Sequence, residues 1–283
     1  MNPLNVILFV KPVPDPRKSR GSAVIDPEKK TVRRQGVPLV ANPADRYALD
    51  TVVRLKGRGV GRVVTVGMGP PDAEGVLRET LALGADVAYL LSDRAMAGSD
   101  ALATARALAA AARKVGFDLI LTGAESSDAG TGQVGPTLAG LLGLPHVLHC
   151  DDLTLALASQ GADGDGGPAG DAEGRPLRVG FRLGGERGEA ALGLPALLTF
   201  DRLDRPLKPA GFAGVVAARS KPCSVWGLAD LGLPAEQVGP AGSPTVVREV
   251  RPAALQNRAT ILDGGPEAVA DKVLSILAEK GVI

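Results

Sequence analysis

Residues 5–11, 62–67, 86–91 and 118–122 are short apolar runs of strand length, and a stretch with apolar residues at helical spacing follows each one. After the first come Ala48, Leu49, Val52, Val53 and Leu55, opened by Asn42 as cap with Pro43 behind it and closed by Gly57 and Gly59. Val76, Leu77, Leu81 and Leu83 follow the second run, and an alanine-rich helix over 101–114, capped by Ser99-Asp100, follows the third. The fourth enters a helix near residues 132–136. Strand and helix in strict alternation predict an α/β protein with a doubly wound parallel sheet, whose ligands bind at the carboxyl ends of the strands near a topological switch point.

The strand exits carry the chemistry. Residues 42–45, 67–71 and 122–136 are rich in Gly, Pro or Asn and are expected to converge on one crevice. In the last of them Gly123, Gly130, Gly132 and Gly135 would let the backbone approach a ligand, and Ser126, Ser127 and Thr131 can offer hydroxyls to phosphate oxygens or cap the helix. A helix N-terminus at that point favours an anion through its unpaired N–H groups and its dipole. The same spacing also fits an ordinary glycine-rich strand-to-helix turn, since it matches neither the P-loop pattern nor GxGxxG.

Other classes find little support. With 32 basic and 31 acidic residues there is no electrostatic case for nucleic acid or an anionic membrane, and 3% aromatics leaves little to stack on bases. No apolar run reaches bilayer length and no leader precedes the first strand, so a cytoplasmic protein without a transmembrane segment is expected. Cys150 and Cys223 match no metal or redox spacing. On a regular strand His146 and Cys150 would share a face while His149 points away, so a metal site is not expected there. Beyond Pro145 two paired strands are predicted, over 146–157 and 176–183, joined by a polar, mobile tip at 159–174. Residues 194–200 read as a last buried strand. The Pro-rich stretch 201–258 shows little periodicity, and an amphipathic helix spans 266–280 with Val269, Val273, Ile276 and Leu277 aligned. A tail of that length without its own core usually wraps a partner or its parent domain, the alternative being a surface extension with no partner.

Several motifs stand in a specific order. They are Val10-Lys11-Pro12-Val13-Pro14-Asp15, Asn42-Pro43, Val66-Gly67-Met68-Gly69-Pro70, residues 78–86 (RETLALGAD), Asp128 with Gln133-Val134-Gly135, and residues 194–199 (LPALLT). Together they resemble the β-subunit of electron transfer flavoproteins (ETF) over nearly the whole chain. The resemblance implies a Rossmann-like nucleotide-binding domain over 1–200 and a C-terminal arm over 201–283 that packs on an α-subunit. It implies a heterodimer in which FAD is shared with that α-subunit, and in which the β crevice holds AMP or, in electron-bifurcating members that oxidise NADH, a second FAD. The implied cofactor-binding positions are Phe9, Val10, Lys11, Asn42, Asp45, Met68, Gly123, Asp128, Thr131, Gly132, Gln133, Val134, Gly135 and Thr137. No catalytic residue and no metal ligand is implied. Leu203 falls where the family presents a leucine to a partner dehydrogenase, and it equally fits a buried loop leucine. Residues 133–136 (QVGP), with Asn42-Pro43, Asp45 and Ala48-Leu49, lean toward the bifurcating members. The alternative is a stand-alone nucleotide-binding or sensing module of the same architecture, against which the long arm argues.

Overall fold

The computed structural model describes residues 2–15, 17–18, 25–26, 31–32, 37–155, 177–201, 206–249 and 260–283. Leu203 and the tip at 159–174 lie outside the described residues. Strand β1 (Leu4–Phe9) leads to β2 (Pro12–Pro14), β3 (Ile25–Asp26), β4 (Thr31–Val32) and β5 (Leu39–Ala41). Then helices and strands alternate: α1 (Pro43–Arg54), β6 (Val60–Met68), α2 (Glu74–Ala82), β7 (Val87–Leu91), α3 (Ala101–Val115), β8 (Leu119–Gly123) and α4 (Val134–Leu142). Next come β9 (His146–Leu155), β10 (Leu177–Leu183), β11 (Glu186–Leu192) and β12 (Ala196–Phe200). The chain ends with α5 (Phe212–Ala218), β13 (Cys223–Trp226), α6 (Leu228–Leu231), α7 (Gly239–Gly242) and α8 (Pro266–Glu279).

The central sheet has nine strands in the order β11-β10-β9-β12-β8-β1-β6-β7-β13. All neighbours are parallel from β9 to β13, while β10 pairs antiparallel with both β9 and β11. The expected doubly wound α/β sheet is therefore present. Alternation along β1 explains its two faces: Val6 and Leu8 join the cluster under α1 and α2, whereas Ile7 and Phe9 join the one under α3 and α4. From β1 the chain steps outward to β6 and β7, then returns through α3 to place β8 on the other side of β1. The switch point thus falls between β1 and β8.

The long tail first returns to its own body. Residues 223–226, in the stretch without periodicity, form β13 at the sheet edge, paired with β7. Side chains of the body hold tail carbonyls: Arg78 donates to Ala218 O and Lys221 O, and Arg106 donates to Gln237 O and Gly242 O. In return Lys221 Nζ donates to Leu81 O at 2.9 Å and Ala85 O at 2.6 Å, neutralising the carbonyl end of α2. Helix α8 differs, since none of its residues is buried.

Trp226 anchors β13. Its ring stacks on Tyr89 at 3.9 Å between centroids, and the Lys114 ammonium lies 4.5 Å from the indole centroid. Replacing Trp226 with Ala is expected to destabilise the chain by about 2–3 kcal/mol, read as a lower midpoint in urea. An unchanged midpoint would show that β13 contributes nothing. Trp226 is the single tryptophan, so its fluorescence in the wild-type protein reports β13 alone.

Candidate functional site: a crevice at the switch point

Parallel strands part at their ends, and the side chains that fill the gap decide what shape remains. Phe9 and Val10 are buried at the end of β1, and the Val10 N–H still donates to Val66 O at 2.9 Å. One residue on, the Lys11 N–H has left the sheet and donates to Asp45 Oδ2 at 2.7 Å. On the neighbouring strand the Gly123 N–H donates to Asp45 Oδ1, also at 2.7 Å. One carboxylate from the first turn of α1 therefore spans the switch point.

Asn42 occupies the N-cap position of α1, but its side chain makes no cap. This corrects the expected capping role. Its amide instead donates to Glu125 O at 2.9 Å, and its carbonyl oxygen accepts the Ser127 N–H at 3.1 Å. Pro43, with no N–H of its own, and the acid Asp45 make the first turn of α1 stable without that cap.

The loop after β8 is tied down from the β1 side as well. Lys11 Nζ donates to Ser126 Oγ at 2.9 Å and to Asp128 Oδ1 at 2.7 Å, with the lysine side chain 39% and the aspartate 11% exposed. Gly130 N–H closes a turn onto Ser126 O at 2.8 Å. Gly130 and Gly132 have φ of 61° and 64°, values that a residue with a Cβ adopts at a cost. Helix α4 then starts at Val134. Gln133, at its N-cap, supplies no side-chain cap, and Thr131 and Gln133 are exposed at this positive helix end. Thr137, half-buried, donates its N–H to Gln133 O at 3.1 Å.

Two of the glycines expected to make room for a ligand are closed in by protein. A Cβ on Gly123 would lie 2.4 Å from Asp45 Oδ1, and one on Gly135 would lie 2.5 Å from Thr199 Cγ2. The first glycine admits the carboxylate and the second lets α4 pack on β12. Met68, half-buried at the end of β6, lies two strands along from β8, where Gly69 closes on Pro12. The exits at 9–11, 42–45 and 123–128 are thus stitched directly together, with 67–69 alongside and α4 beginning a few residues further along the same loop. Residue spacing could have exposed the stitching: Asn42 and Asp45, three apart, share a face of α1 that turns toward the switch point.

Asp45 is 3% exposed, and burial pushes its carboxyl up to about 7. The Lys11 N–H, the Asn42 amide, the Gly123 N–H and the Lys11 charge all pull it back down. Its charge therefore changes near neutral pH.

The regular-strand reading of residues 146–150 does not hold. His149 has φ 56° at a bulge where β9 slips by one residue against β12, so strict alternation fails there. Its Nδ1 lies 2.8 Å from Asp201 Oδ1, while Cys150 is buried, its thiol pushed up to about 12 by burial. Among the described residues no three His, Cys, Asp or Glu side chains are grouped to hold a metal.

Fold and crevice together define a class: a doubly wound α/β protein with an uncapped helix end and a lysine at its switch point. Comparison with known proteins narrows it. The family model described as the electron transfer flavoprotein domain matches residues 29–165. Protein FixA of Azorhizobium caulinodans is 35% identical over 282 residues, covering 96% of this chain and 93% of that protein. The electron transfer flavoprotein subunit beta of Clostridium acetobutylicum is 32% identical over 280 residues, covering 99% of this chain and all of that one. Subunit CarD of the caffeyl-CoA reductase-Etf complex of Acetobacterium woodii is 34% identical over 283 residues, with 99% and 100% covered. The chain belongs to the electron transfer flavoprotein β-subunit family. No helix among the described residues is long and apolar enough to cross a membrane.

Proposed function

We propose that this chain pairs with an α-subunit as a heterodimeric electron transfer flavoprotein and holds the adenylate part of AMP or FAD in the switch-point crevice. The observation that carries the reading is the meeting of Lys11, the hydroxyl of Ser126 and the uncapped end of α4 around one loop. Lys11 would exchange its contact with Asp128 for a phosphate oxygen, a point charge meeting a point charge. Free N–H groups at the start of α4 would supply further donors without needing an arginine. Asp128 would exchange the Lys11 ammonium for ribose hydroxyls as donors. Phe9, Val10 and Met68 would line the base side.

When bound, FAD supplies the one- and two-electron chemistry, and the residues of this chain orient it and exclude water. The apolar stripe of α8 would meet the α-subunit, Leu203 would meet a partner dehydrogenase, and the setting would be the cytoplasm. The 133–136 sequence, with Asn42-Pro43, Asp45 and Ala48-Leu49, favours a second FAD and NADH-dependent bifurcation over a structural AMP.

The test is to purify the chain co-expressed with its α-subunit, denature the complex and count nucleotides. Two FAD and no AMP per heterodimer is the expected result, whereas one FAD with one AMP would overturn bifurcation and keep the site. A stable colourless monomer would support the stand-alone module instead. Lys11→Gln is expected to weaken binding of AMP about 10-fold, measured by calorimetry on nucleotide-stripped protein.

A further inference from the structure

We propose that Asn42 and Asp45 are positioning residues, which hold the two sides of the switch-point crevice at a fixed separation through backbone amides and carbonyls. The inference deepens the reading of the crevice as an adenylate site and rests on it. Asn42 is 2% and Asp45 3% exposed, so little of either side chain is open to a ligand. Their polar atoms are committed to protein. Asp45 accepts from Lys11 N–H and Gly123 N–H, and Asn42 donates to Glu125 O and accepts from Ser127 N–H.

The position of those partners matters more than their number. The β1–β8 ladder pairs Val6 with Leu119, Ile7 with Ile120 and Leu8 with Leu121, then stops. Lys11 and Gly123 are the residues at which the parting strands must find new acceptors, and the carboxylate supplies both at equal length. Asn42 does for 125–127 what a neighbouring strand would do, matching one donor and one acceptor of the loop. The Asn42 N–H in turn donates to Lys11 O at 3.0 Å, which closes the brace on the β1 side. Ser126 and Asp128, the contacts of Lys11, lie on the same loop that Asn42 holds. A loop released at 125–127 carries them out of register with the lysine and with the start of α4.

Positioning can be separated from plain destabilisation. The proteins compared are the heterodimer with the wild-type chain and those with Asp45→Asn, Asn42→Ala or Leu49→Ala, stripped of nucleotide. Leu49 is 1% exposed in the core under α1 and touches none of these hydrogen bonds, so its truncation lowers the melting temperature without touching the brace. Asp45→Asn keeps one acceptor and turns an NH2 donor toward the other backbone N–H, so its melting temperature also falls, and Leu49→Ala provides the comparison at a similar loss of stability. The expected result is a loss of AMP affinity on the order of 10- to 100-fold in Asp45→Asn and Asn42→Ala, against none in Leu49→Ala. Amide exchange in the nucleotide-free proteins should be faster at Lys11 and Gly123 in Asp45→Asn, and at Ser127 in Asn42→Ala.

Wild-type affinity in both brace variants would overturn the inference, as would an affinity loss that merely tracks melting temperature through all three. Because exchange is read without nucleotide, the two readings fail differently. A wild-type protein that protects these amides yet takes up no AMP and no FAD overturns the adenylate site, while uptake unchanged by the brace variants overturns only the brace.

Discussion

Removing residues 260–283 is expected to weaken association with the α-subunit by at least about 100-fold while changing the stability of the chain by under about 0.5 kcal/mol. Helix α8 has no buried residue, with Val269, Ile276 and Leu277 half-buried and Val273 and Leu274 exposed by 40% and 54%. A single helix of this length is marginal in water on its own, so its amphipathic face calls for a surface to pack on. Full burial of such side chains stabilises by roughly 1.5–3 kcal/mol each, and the loss of rotational freedom and side-chain ordering offsets part of the sum. A net of about 3 kcal/mol, or two decades in Kd, is a low figure for five of them. Urea melts of the truncated and full chains, with titration of the α-subunit, check both halves. Equal affinity in the truncated chain would remove α8 from the interface, and a large drop in urea midpoint would show that it packs on its own subunit.

What could be read from the chain in advance follows from where the information is local. The order of the first strands and helices was legible because the apolar residues of β1, β6, β7 and β8 are contiguous and those of α1 and α3 recur at helical spacing. Asp100 was legible as a cap too, and its Oδ1 accepts the Ala103 N–H at 2.9 Å. By contrast β13 has only four residues, and it is a strand because Tyr89 offers a ring for Trp226 and β7 an open edge. No window on the sequence contains both halves of that pairing. The bulge at His149 is hidden for the same reason, since it answers the register of β12, fifty residues on. In the crevice the glycines, the lysine and the Asn-Pro turn marked the place. The Asn42 to Glu125 and Asp45 to Gly123 contacts, which span 83 and 78 residues, determine its inner wiring. A capping motif and a long-range clamp use the same residue type, and only the fold chooses between them.

Gly123→Ala should then be the most damaging single methyl group in the crevice. The new Cβ would sit 2.4 Å from Asp45 Oδ1, 2.9 Å from Ala44 Cβ and 3.0 Å from Asn42 Nδ2, and none of these is the loose end of a long side chain. Ala44 and Asp45 belong to the first turn of α1, which packs on β8, so relief requires the helix to move or the carboxylate to swing away. Overpacking of this kind costs about 1–3 kcal/mol. If Asp45 turns aside, the Lys11 and Gly123 amides lose a charged acceptor, at roughly 1–3 kcal/mol for each one left buried and unpaired. The expected loss is at least about 3 kcal/mol, a large share of the stability of a domain this size. Gly140→Ala provides the contrast. It lies inside α4, a Cβ there meets nothing within 4 Å, and its φ is not positive, so the same methyl group should stabilise by about 0.5–1 kcal/mol. Chemical unfolding of the two variants side by side decides the matter. Equal and small effects would mean that α1 yields to the methyl group without disturbing Asp45, and that the switch point is softer than its hydrogen bonds imply.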